Sequence, residues 1–190
     1  MFSRSLLIVS LLVALSAAAV SRAADIVPAA GGTAVLTPQN TKIQFVCAHV
    51  GAKPDPRKGG FGKFSGKAMV DGKSLKSVSV EIDTASLFTE FDMLTTHLKS
   101  PDFFEVRRFP TAKFESTKIE SGAGGNQITG KLTLHGVTKE ISFPAKIEVT
   151  EAGLKLAGEF SINRLEYGIN YDPKKVEEKV ALTVVIGEKT

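Results

Sequence analysis

The stretch ITGKLTLHGVTKEISFPAKIEV, residues 128–149, decides the fold class, because apolar and polar side chains alternate on both sides of a turn signal. Leu132 and Leu134 alternate with polar neighbours before the turn, and five apolar residues alternate with polar ones or Pro144 over 141–149. Such alternation is typical of strands with one buried face. His135-Gly136 between the two runs is typical of a tight turn. The stretch therefore predicts an antiparallel β-hairpin.

Working outward, the same pattern recurs along the chain and predicts about eight strands. The other strand signals lie at 43–47, 78–82, 154–156 with 160–162, and 180–186, with a weaker one marked by Phe114 and Ile119. Turn residues separate them at Asp71-Gly72, 122–126 and 151–153. Pro144 cannot donate a ladder hydrogen bond, so its strand is expected to form an edge or to contain a bulge.

Only one stretch has helical spacing. Between residues 89 and 100, Phe91, Leu94 and Leu98 are three and four positions apart, and Pro101 follows. The aromatic block after it, with Phe103 and Phe104, is too apolar for a free loop. We therefore expect an all-β, antiparallel, eight-stranded barrel with one or two short helices over its mouth. A barrel of this size holds side chains or one slender ligand.

The first 23 residues predict a secretory signal peptide. A basic start is followed by the apolar run 5–20 and by small residues around a cleavage point after Ala23. The alternative is an uncleaved anchor, but the run is shorter than the roughly 20 residues of a bilayer span. We expect cleavage, an exported protein, a flexible segment over 24–34, and no stable membrane span in the mature chain.

Composition excludes several classes of protein. With 43% hydrophobic and 23% charged residues, neither a disordered chain nor a polytopic membrane protein fits. One cysteine excludes an internal disulfide and multi-cysteine metal sites, and it leaves Cys47 as a buried hydrophobe or, alternatively, a reactive thiol. Without Arg4 and Arg22 the charges nearly balance, so nucleic acid is not expected as a partner.

The motifs of catalysis and metal binding are missing from the sequence. His49, His97 and His135 lack the close pairing of a metal site, and no Gly-x-Ser-x-Gly or Walker pattern occurs. Asp83 and Asp92 could pair in space, but no spacing fixes them. We expect no enzyme activity, no metal and no cofactor. His49 is interpreted as an inward or rim residue, and His135 as a solvated turn residue.

Two long runs resemble the YceI family: LKSPDFFEVRRFP at 98–110 and GKLTLHGVTK at 130–139, supported by 160–169 around Arg164. The resemblance extends from about residue 35 to 187 and implies one domain at 35–188. It implies a lipocalin-like extended barrel in the periplasm, with an elongated apolar cavity for a polyisoprenoid or a similar amphiphile. Two departures are the long basic stretch 50–60 and Leu165-Glu166-Tyr167, near the cavity mouth and Arg164 respectively.

Aromatic and aliphatic residues around the predicted helix are candidates for the cavity wall, with plain core packing as the alternative. The expected lining residues are Phe45, Phe61, Phe64, Leu87, Phe88, Phe91, Leu94, Leu98, Phe103, Phe104, Leu134 and Ile162. The expected head-group contacts are His49, His97, Lys99 and Arg164, with Lys53, Arg57 and Lys58 as further rim residues. An arginine can bind a diphosphate with two hydrogen bonds. Arg164 is the strongest candidate, because the resemblance covers its position and it follows the expected buried strand end at Ile162.

These patterns favour a non-enzymatic binding protein that transports, stores or sequesters an isoprenoid quinone, a prenyl diphosphate or a related lipid. The alternative is a stress-response interaction module whose barrel is filled, with an exposed edge strand near Pro144 as its contact site. A lipid-modifying enzyme would need titratable groups converging at the mouth. Homodimerisation is left open.

Overall fold

The computed structural model describes residues 31–51, 55–122 and 125–187. The predicted signal peptide and Lys53 lie outside these residues. The strands are β1 (Gly32–Leu36), β2 (Thr41–Ala48), β3 (Pro56–Phe61), β4 (Phe64–Asp71), β5 (Ser74–Asp83), β6 (Leu87–Thr89), β7 (Thr111–Gly122), β8 (Gly125–Leu134), β9 (Val137–Thr150), β10 (Gly153–Asn163) and β11 (Lys179–Ile186). The helix α1 spans Asp92–Lys99, and short 3-10 helices span Thr84–Ser86 and Arg164–Tyr167.

The strands form one curled antiparallel sheet in the order β1-β4-β5-β7-β8-β9-β10-β11-β2-β3-β6. Most neighbours are hairpin partners, but β2 pairs with β11, which comes from the opposite end of the described chain. The all-β antiparallel class is confirmed. In the part of the chain that the structure describes, no ladder joins β1 to β6 at the two ends of this order.

The predicted count of eight strands was wrong, because four strands lack a strong alternating signal. β1 and β6 are short, and β3 has the sequence PRKGGF, in which two glycines interrupt the pattern. β4 begins with FSGK, and its buried positions include only one large residue, Val70. β1 also begins at Gly32, inside the segment 24–34 that was expected to be flexible.

Turn chemistry sets the hairpins where the sequence predicts them. Leu134 pairs with Val137 across the β8–β9 turn, in which His135 and Gly136 have φ of 51° and 77°. Positive φ at both central residues gives the twist that a two-residue hairpin requires. The β9–β10 hairpin closes at Gly153, which pairs with Thr150. The sheet register in this region therefore follows from local sequence.

Pro144 does not mark an edge strand, which corrects that prediction. β9 pairs with β8 on one side and β10 on the other, and the β9–β10 ladder ends at Ala145. Pro144 thus lies one residue beyond the end of that ladder, where its missing N–H is tolerated inside an inner strand. The edges of the described sheet are β1 and β6.

Helix α1 forms where the apolar spacing indicates. Asp92 lies in its first turn, and His97 and Lys99 lie in its last turn, as the helix dipole favours. It ends at Lys99, with Ser100 as the capping residue before Pro101. None of the described helices has both the length and the apolar character that a membrane crossing requires.

The core divides into two clusters along the curled sheet. The first, here called the closed end, is formed by β1, β4, β5 and β8–β11 around Leu36, Ile128, Phe143 and Leu156. The second, here called the mouth, is formed by Phe103, Ala112, Leu134, Ile162, Tyr167 and Ile169 beneath α1 and the segment that follows it. The space between these clusters determines what the fold can hold.

Candidate functional site

An elongated cavity of about 350 Å³ extends between the closed end and the mouth. This volume falls in the range of small-molecule pockets. Most of its lining side chains are apolar; the polar and charged ones are Thr41, Cys47, His49, Arg57, His97, Arg164 and Tyr171. Such a lining suits a long apolar group.

Strands β2 and β11 give the cavity its length. Alternate residues of β2, from Thr41 to Cys47, line it, as do Val180, Leu182, Val184 and Ile186 of the antiparallel β11. Six residues of strand extend about 20 Å. The alternation that predicted these strands therefore also predicts a continuous apolar groove along them.

Large side chains pack together at the closed end. The Phe143 and Phe160 rings stack with centroids 4.2 Å apart, and Phe114 lies 5.7 Å from Phe143. Ile128 and Ile186 are almost fully buried beside them. A ligand would therefore have only its apolar terminus at this end.

Aromatic rings surround the mouth. The His97 ring lies edge-on to Phe103 and Tyr171, with centroids 5.1 and 5.0 Å away, and these two rings are 4.7 Å apart. Phe61 lies 6.0 Å from both Phe45 and Phe104. These side chains form an amphipathic collar, because the imidazole and phenol place polar atoms among apolar faces.

The segment after α1 folds back onto the helix and holds the collar in place. The Phe104 N–H donates to the Leu98 carbonyl at 3.0 Å, and the Val106 N–H donates to the Lys99 carbonyl at 3.2 Å. His97 Nε2 lies 3.0 Å from a carboxylate oxygen of Asp102. Backbone hydrogen bonds thus position Phe103 and Phe104 over the mouth.

Arg164 is 3% exposed, and its guanidinium organises the loop opposite α1. Its Nε, Nη1 and Nη2 atoms donate to the carbonyls of Glu177, Ile169 and Val176 at 2.9, 2.6 and 2.9 Å. Burial lowers the pKa of this side chain. Three backbone acceptors compensate part of the cost of burying the charge, so the side chain ties together both ends of the segment 169–177.

Cys47 lines the cavity and is partly buried. Its Sγ lies 3.6 Å from the Glu177 carbonyl oxygen. Desolvation raises the pKa of this thiol, which disfavours the nucleophilic thiolate. Its position therefore fits a small wall residue.

His135 is a half-buried residue rather than a solvated one, so the first interpretation of this residue was wrong. Its ring packs against Phe109 with centroids 4.1 Å apart and an angle of 51° between the ring planes, and Nδ1 lies 3.2 Å from the Tyr167 carbonyl oxygen. Its Nε2 lies 3.9 Å from a carboxylate oxygen of Glu105, whose φ of 43° is unusual for a non-glycine residue. The β8–β9 turn thus packs against the segment that covers the mouth.

The buried Tyr167 supports the same region. Its side chain is 1% exposed, and its hydroxyl has no hydrogen-bond partner among the residues that the structure describes. Burial raises its pKa to about 12. The ring acts chiefly as an apolar packing element.

The structure separates the predicted apolar site residues into two groups. Those that line the cavity are Phe45, Phe61, Leu94, Leu98, Phe103, Phe104, Leu134 and Ile162. Those that do not line it are Phe64, Leu87, Phe88 and Phe91, of which Leu87 is buried elsewhere and Phe88 and Phe91 are about half exposed. Phe64 begins β4, whereas Leu87 and Phe88 lie on the short strand β6 and Phe91 directly precedes α1. The sequence does not define the side-chain directions of these segments.

The predicted head-group residues also separate. His49, His97 and Arg164 line the cavity, as does Arg57, whereas Lys99 and Lys58 do not. Arg164 has three of its nitrogens committed to backbone carbonyls. Asp83, considered for a carboxylate pair, accepts the Ala85 N–H at the start of a 3-10 helix. Across 31–51, 55–122 and 125–187, no group of three or more His, Cys, Asp or Glu side chains is placed to hold a metal ion.

Sequence reasoning missed several wall residues. Leu182 and Val184 share the alternation of β11, so their inward direction could have been read from the pattern. Tyr171 and Val176 lie in an irregular segment that Arg164 fixes through its carbonyl contacts, and no periodic signal marks them.

A family model described as the YceI-like domain matches residues 35–187. The chain is 39% identical over 111 residues to a UPF0312 protein of Pseudomonas aeruginosa, a match that covers 57% of each chain. The chain therefore spans little more than half the length of that relative. It is 36% identical over 148 residues to a UPF0312 protein of Pseudomonas savastanoi pv. phaseolicola, covering 76% of this chain and 73% of the relative.

Solved structures share the fold. BcnA of Burkholderia cenocepacia superposes with a TM-score of 0.68 at 25% identity, covering 77% of this chain and 94% of BcnA. A polyisoprenoid binding domain from Saccharophagus degradans, implicated in plant cell wall breakdown, superposes with a TM-score of 0.62 at 15% identity. That match covers 82% of this chain and 97% of the domain.

Proposed function

Because this chain belongs to the YceI-like domain family, we propose that it is a non-enzymatic carrier of a polyisoprenoid or a similar long-chain amphiphile. The elongated apolar cavity between the closed end and the mouth is the observation that carries this proposal. In this role the curled sheet acts as a lipocalin-like barrel around the lipid tail. The predicted signal peptide would deliver the protein to the periplasm, where it would transport, store or sequester the lipid.

The energetics favour recognition through the tail. Burying about 400 Å² of tail at about 25 cal/mol/Å² gives about 10 kcal/mol before costs. Immobilising the ligand removes about half of this or more. An exposed cationic contact adds only about 0–1 kcal/mol. Affinity would therefore follow tail length, and the polar collar would orient the head group.

The head group would lie beside the collar, where His49, Arg57 and His97 are among the polar residues that line the cavity. Of these three side chains, Arg57 is the best suited to bind a diphosphate, because its guanidinium can donate two hydrogen bonds to it. Arg57 also pairs with Asp55. Lys99 does not line the cavity, so it would contact the head group only by extending its side chain from the end of α1 across the mouth. Arg164 would contribute its remaining N–H donors from inside the wall.

A cavity-filling variant with a matched control tests the proposal. Leu182→Trp places a large ring in the cavity, whereas Ala181→Trp places the same ring on the exposed face of the same strand. Both proteins are purified under native conditions, extracted with organic solvent and analysed by mass spectrometry. They are also titrated with isoprenoid quinones and prenyl diphosphates of several chain lengths.

We expect the unaltered protein and Ala181→Trp to bind these lipids with affinity that rises with tail length. We expect Leu182→Trp to lose binding while keeping its far-ultraviolet circular dichroism spectrum. Equal binding by the two variants, or affinity that is independent of tail length, would contradict the proposal.

A further inference from the structure

Three large apolar side chains remain exposed near the mouth. Six are exposed among the described residues, and Val50, Phe91 and Met93 are the ones that lie next to cavity-lining residues. Met93 is 86% exposed, although it is followed directly by Leu94, which lines the cavity. We call these three residues the mouth patch. Exposed apolar side chains grouped beside an opening often mark a contact surface.

Local contacts hold the mouth patch next to the cavity. Val50 follows His49, which lines the cavity, and its N–H donates to the Lys175 carbonyl at 2.9 Å. The Arg57 guanidinium, which also lines the cavity, lies 5.1 Å from the centre of the Phe91 ring. Phe88 is outside the patch, because it pairs with Gly60 on the face of the sheet that points away from the cavity. The patch therefore borders the opening through which a ligand would pass.

The size of the mouth patch does not fit a stable protein interface. At about 200 Å² for a large side chain, the exposed fractions of Val50, Phe91 and Met93 amount to roughly 380 Å². A standard interface buries about 800 Å² on each partner. A second copy of the chain would thus be held weakly, whereas a lipid surface accepts individual protruding apolar side chains.

The charged side chains around the mouth suit a partner surface that carries both positive and negative charges. Arg57 pairs with Asp55, and Lys175 lies 3.2 Å from Asp172. Both signs of charge are therefore present beside the mouth. Zwitterionic phospholipid head groups have the same character, so they complement this surface better than a strongly anionic membrane does.

We propose that the mouth patch docks on the surface of a zwitterionic phospholipid bilayer, with Phe91 and Met93 inserted among the head groups. The cavity then opens directly onto the lipid, and an isoprenoid tail moves between membrane and barrel without crossing water. The purpose of this docking rests on the proposed carrier function, but the docking itself is a separate property of the surface.

The absence of tryptophan from the sequence makes a direct test possible. Met93→Trp places a fluorescent reporter in the mouth patch, and Met69→Trp places one at the 54% exposed apolar site on β4. Each variant is mixed with phosphatidylcholine vesicles, with and without brominated chains. We expect a blue shift and bromine quenching for Met93→Trp alone. Equal responses, or none from either reporter, would overturn the proposal.

A charge variant with a matched control separates docking from ligand binding. Met93→Asp adds a carboxylate to the first turn of α1, where the helix dipole tolerates it. Met69→Asp adds a carboxylate at the exposed site on β4, outside the mouth patch. We expect Met93→Asp to partition to vesicles at least about tenfold more weakly than Met69→Asp. Transfer of a ligand from vesicles to Met93→Asp should be slower than transfer to Met69→Asp by a similar factor. Uptake of the same ligand from cyclodextrin should be the same for both variants.

The other outcomes are also decisive. Failure of uptake from both sources in the unaltered protein would contradict the carrier function, and the fluorescence experiment would still decide the docking. Vesicle binding that requires phosphatidylglycerol and disappears in high salt would overturn the proposed zwitterionic contact. A blue shift of Met93→Trp that rises with protein concentration without vesicles would assign the mouth patch to a second copy of the chain.

Discussion

The closed end and the mouth are built from the same sheet but in different ways. At the closed end, Ala34, Leu36 and Ile128 are fully buried, and their burial follows from strand alternation. At the mouth, helix α1 has no buried residue at all, and the wall consists of aromatic rings held by backbone hydrogen bonds of loops. The comparison indicates that the closed end provides most of the stability, whereas the less tightly packed mouth leaves the cavity accessible to a ligand.

The mouth nevertheless has stabilising contacts of its own. Arg164, Tyr167 and His135 form a support beneath it, in which a buried cation, a phenol ring and an imidazole all contact backbone or aromatic groups. The closed end needs no comparable support because its apolar side chains pack directly on each other. This difference leads to three predictions, given from the largest expected effect to the smallest.

The largest effect should come from Arg164→Met. Removing the guanidinium leaves three carbonyl groups, those of Ile169, Val176 and Glu177, without their donors. We expect a loss of about 3–5 kcal/mol in the free energy of unfolding, measured by urea denaturation. The exposed Arg107→Met serves as the control and should change stability by less than about 0.5 kcal/mol. Wild-type stability of Arg164→Met, with binding alone impaired, would make Arg164 a head-group ligand rather than a support.

The second prediction compares truncations at the two ends. Leu36→Ala removes a fully buried side chain of the closed end that does not line the cavity, so we expect a loss of about 2–4 kcal/mol in unfolding free energy. Leu98→Ala enlarges a cavity that already exists at the mouth, so we expect about 1 kcal/mol or less in stability and a clear loss of ligand affinity. Thermal denaturation and ligand titration measure both effects. A larger stability loss for Leu98→Ala than for Leu36→Ala would reverse the proposed division of roles.

The smallest effect concerns alkaline pH. Burial raises the pKa of Tyr167 to about 12, whereas an unfolded tyrosine titrates near 10. Between these values the unfolded chain releases its proton first, so stability falls as pH rises from about 10 to 12, by about 1–3 kcal/mol. Below pH 10 this contribution is fully present. Tyr167→Phe should abolish this part of the pH dependence, and the control Tyr171→Phe should keep it. A pH profile unaltered by Tyr167→Phe would show that the phenol is not buried in solution.

The sequence predicted most of the sheet because its hairpins are encoded locally. The turn at His135-Gly136 and the alternation of β8 and β9 required no tertiary information. Helix α1 was predicted from three spaced apolar residues and ended before Pro101 as expected. β3 was missed because its inner positions include glycine: a Cβ at Gly59 would lie 2.3 Å from the Phe45 ring. Only the packed structure shows that requirement.

The candidate site was predictable to the extent that strands define it. Phe45, Leu134 and Ile162 line the cavity as their alternation suggests, whereas Phe88 and Phe91 depend on a three-residue strand and a helix start. The partners of Arg164 are carbonyl oxygens, which every residue possesses, so no sequence pattern could reveal them. Local periodicity thus predicts walls, and tertiary contacts decide what lies at the opening.

The pairing of β2 with β11 also constrains how the chain reaches this structure. β2, β3 and β6 join the rest of the sheet only through β11, although β2 is the second strand made and β11 is the last described one. Contacts between such distant segments are slow to form, because the chain must lose the entropy of closing a long loop before these contacts can stabilise it. One wall of the cavity therefore cannot assemble during synthesis until β11 has emerged, and until then the apolar face of β2 lacks its permanent neighbour.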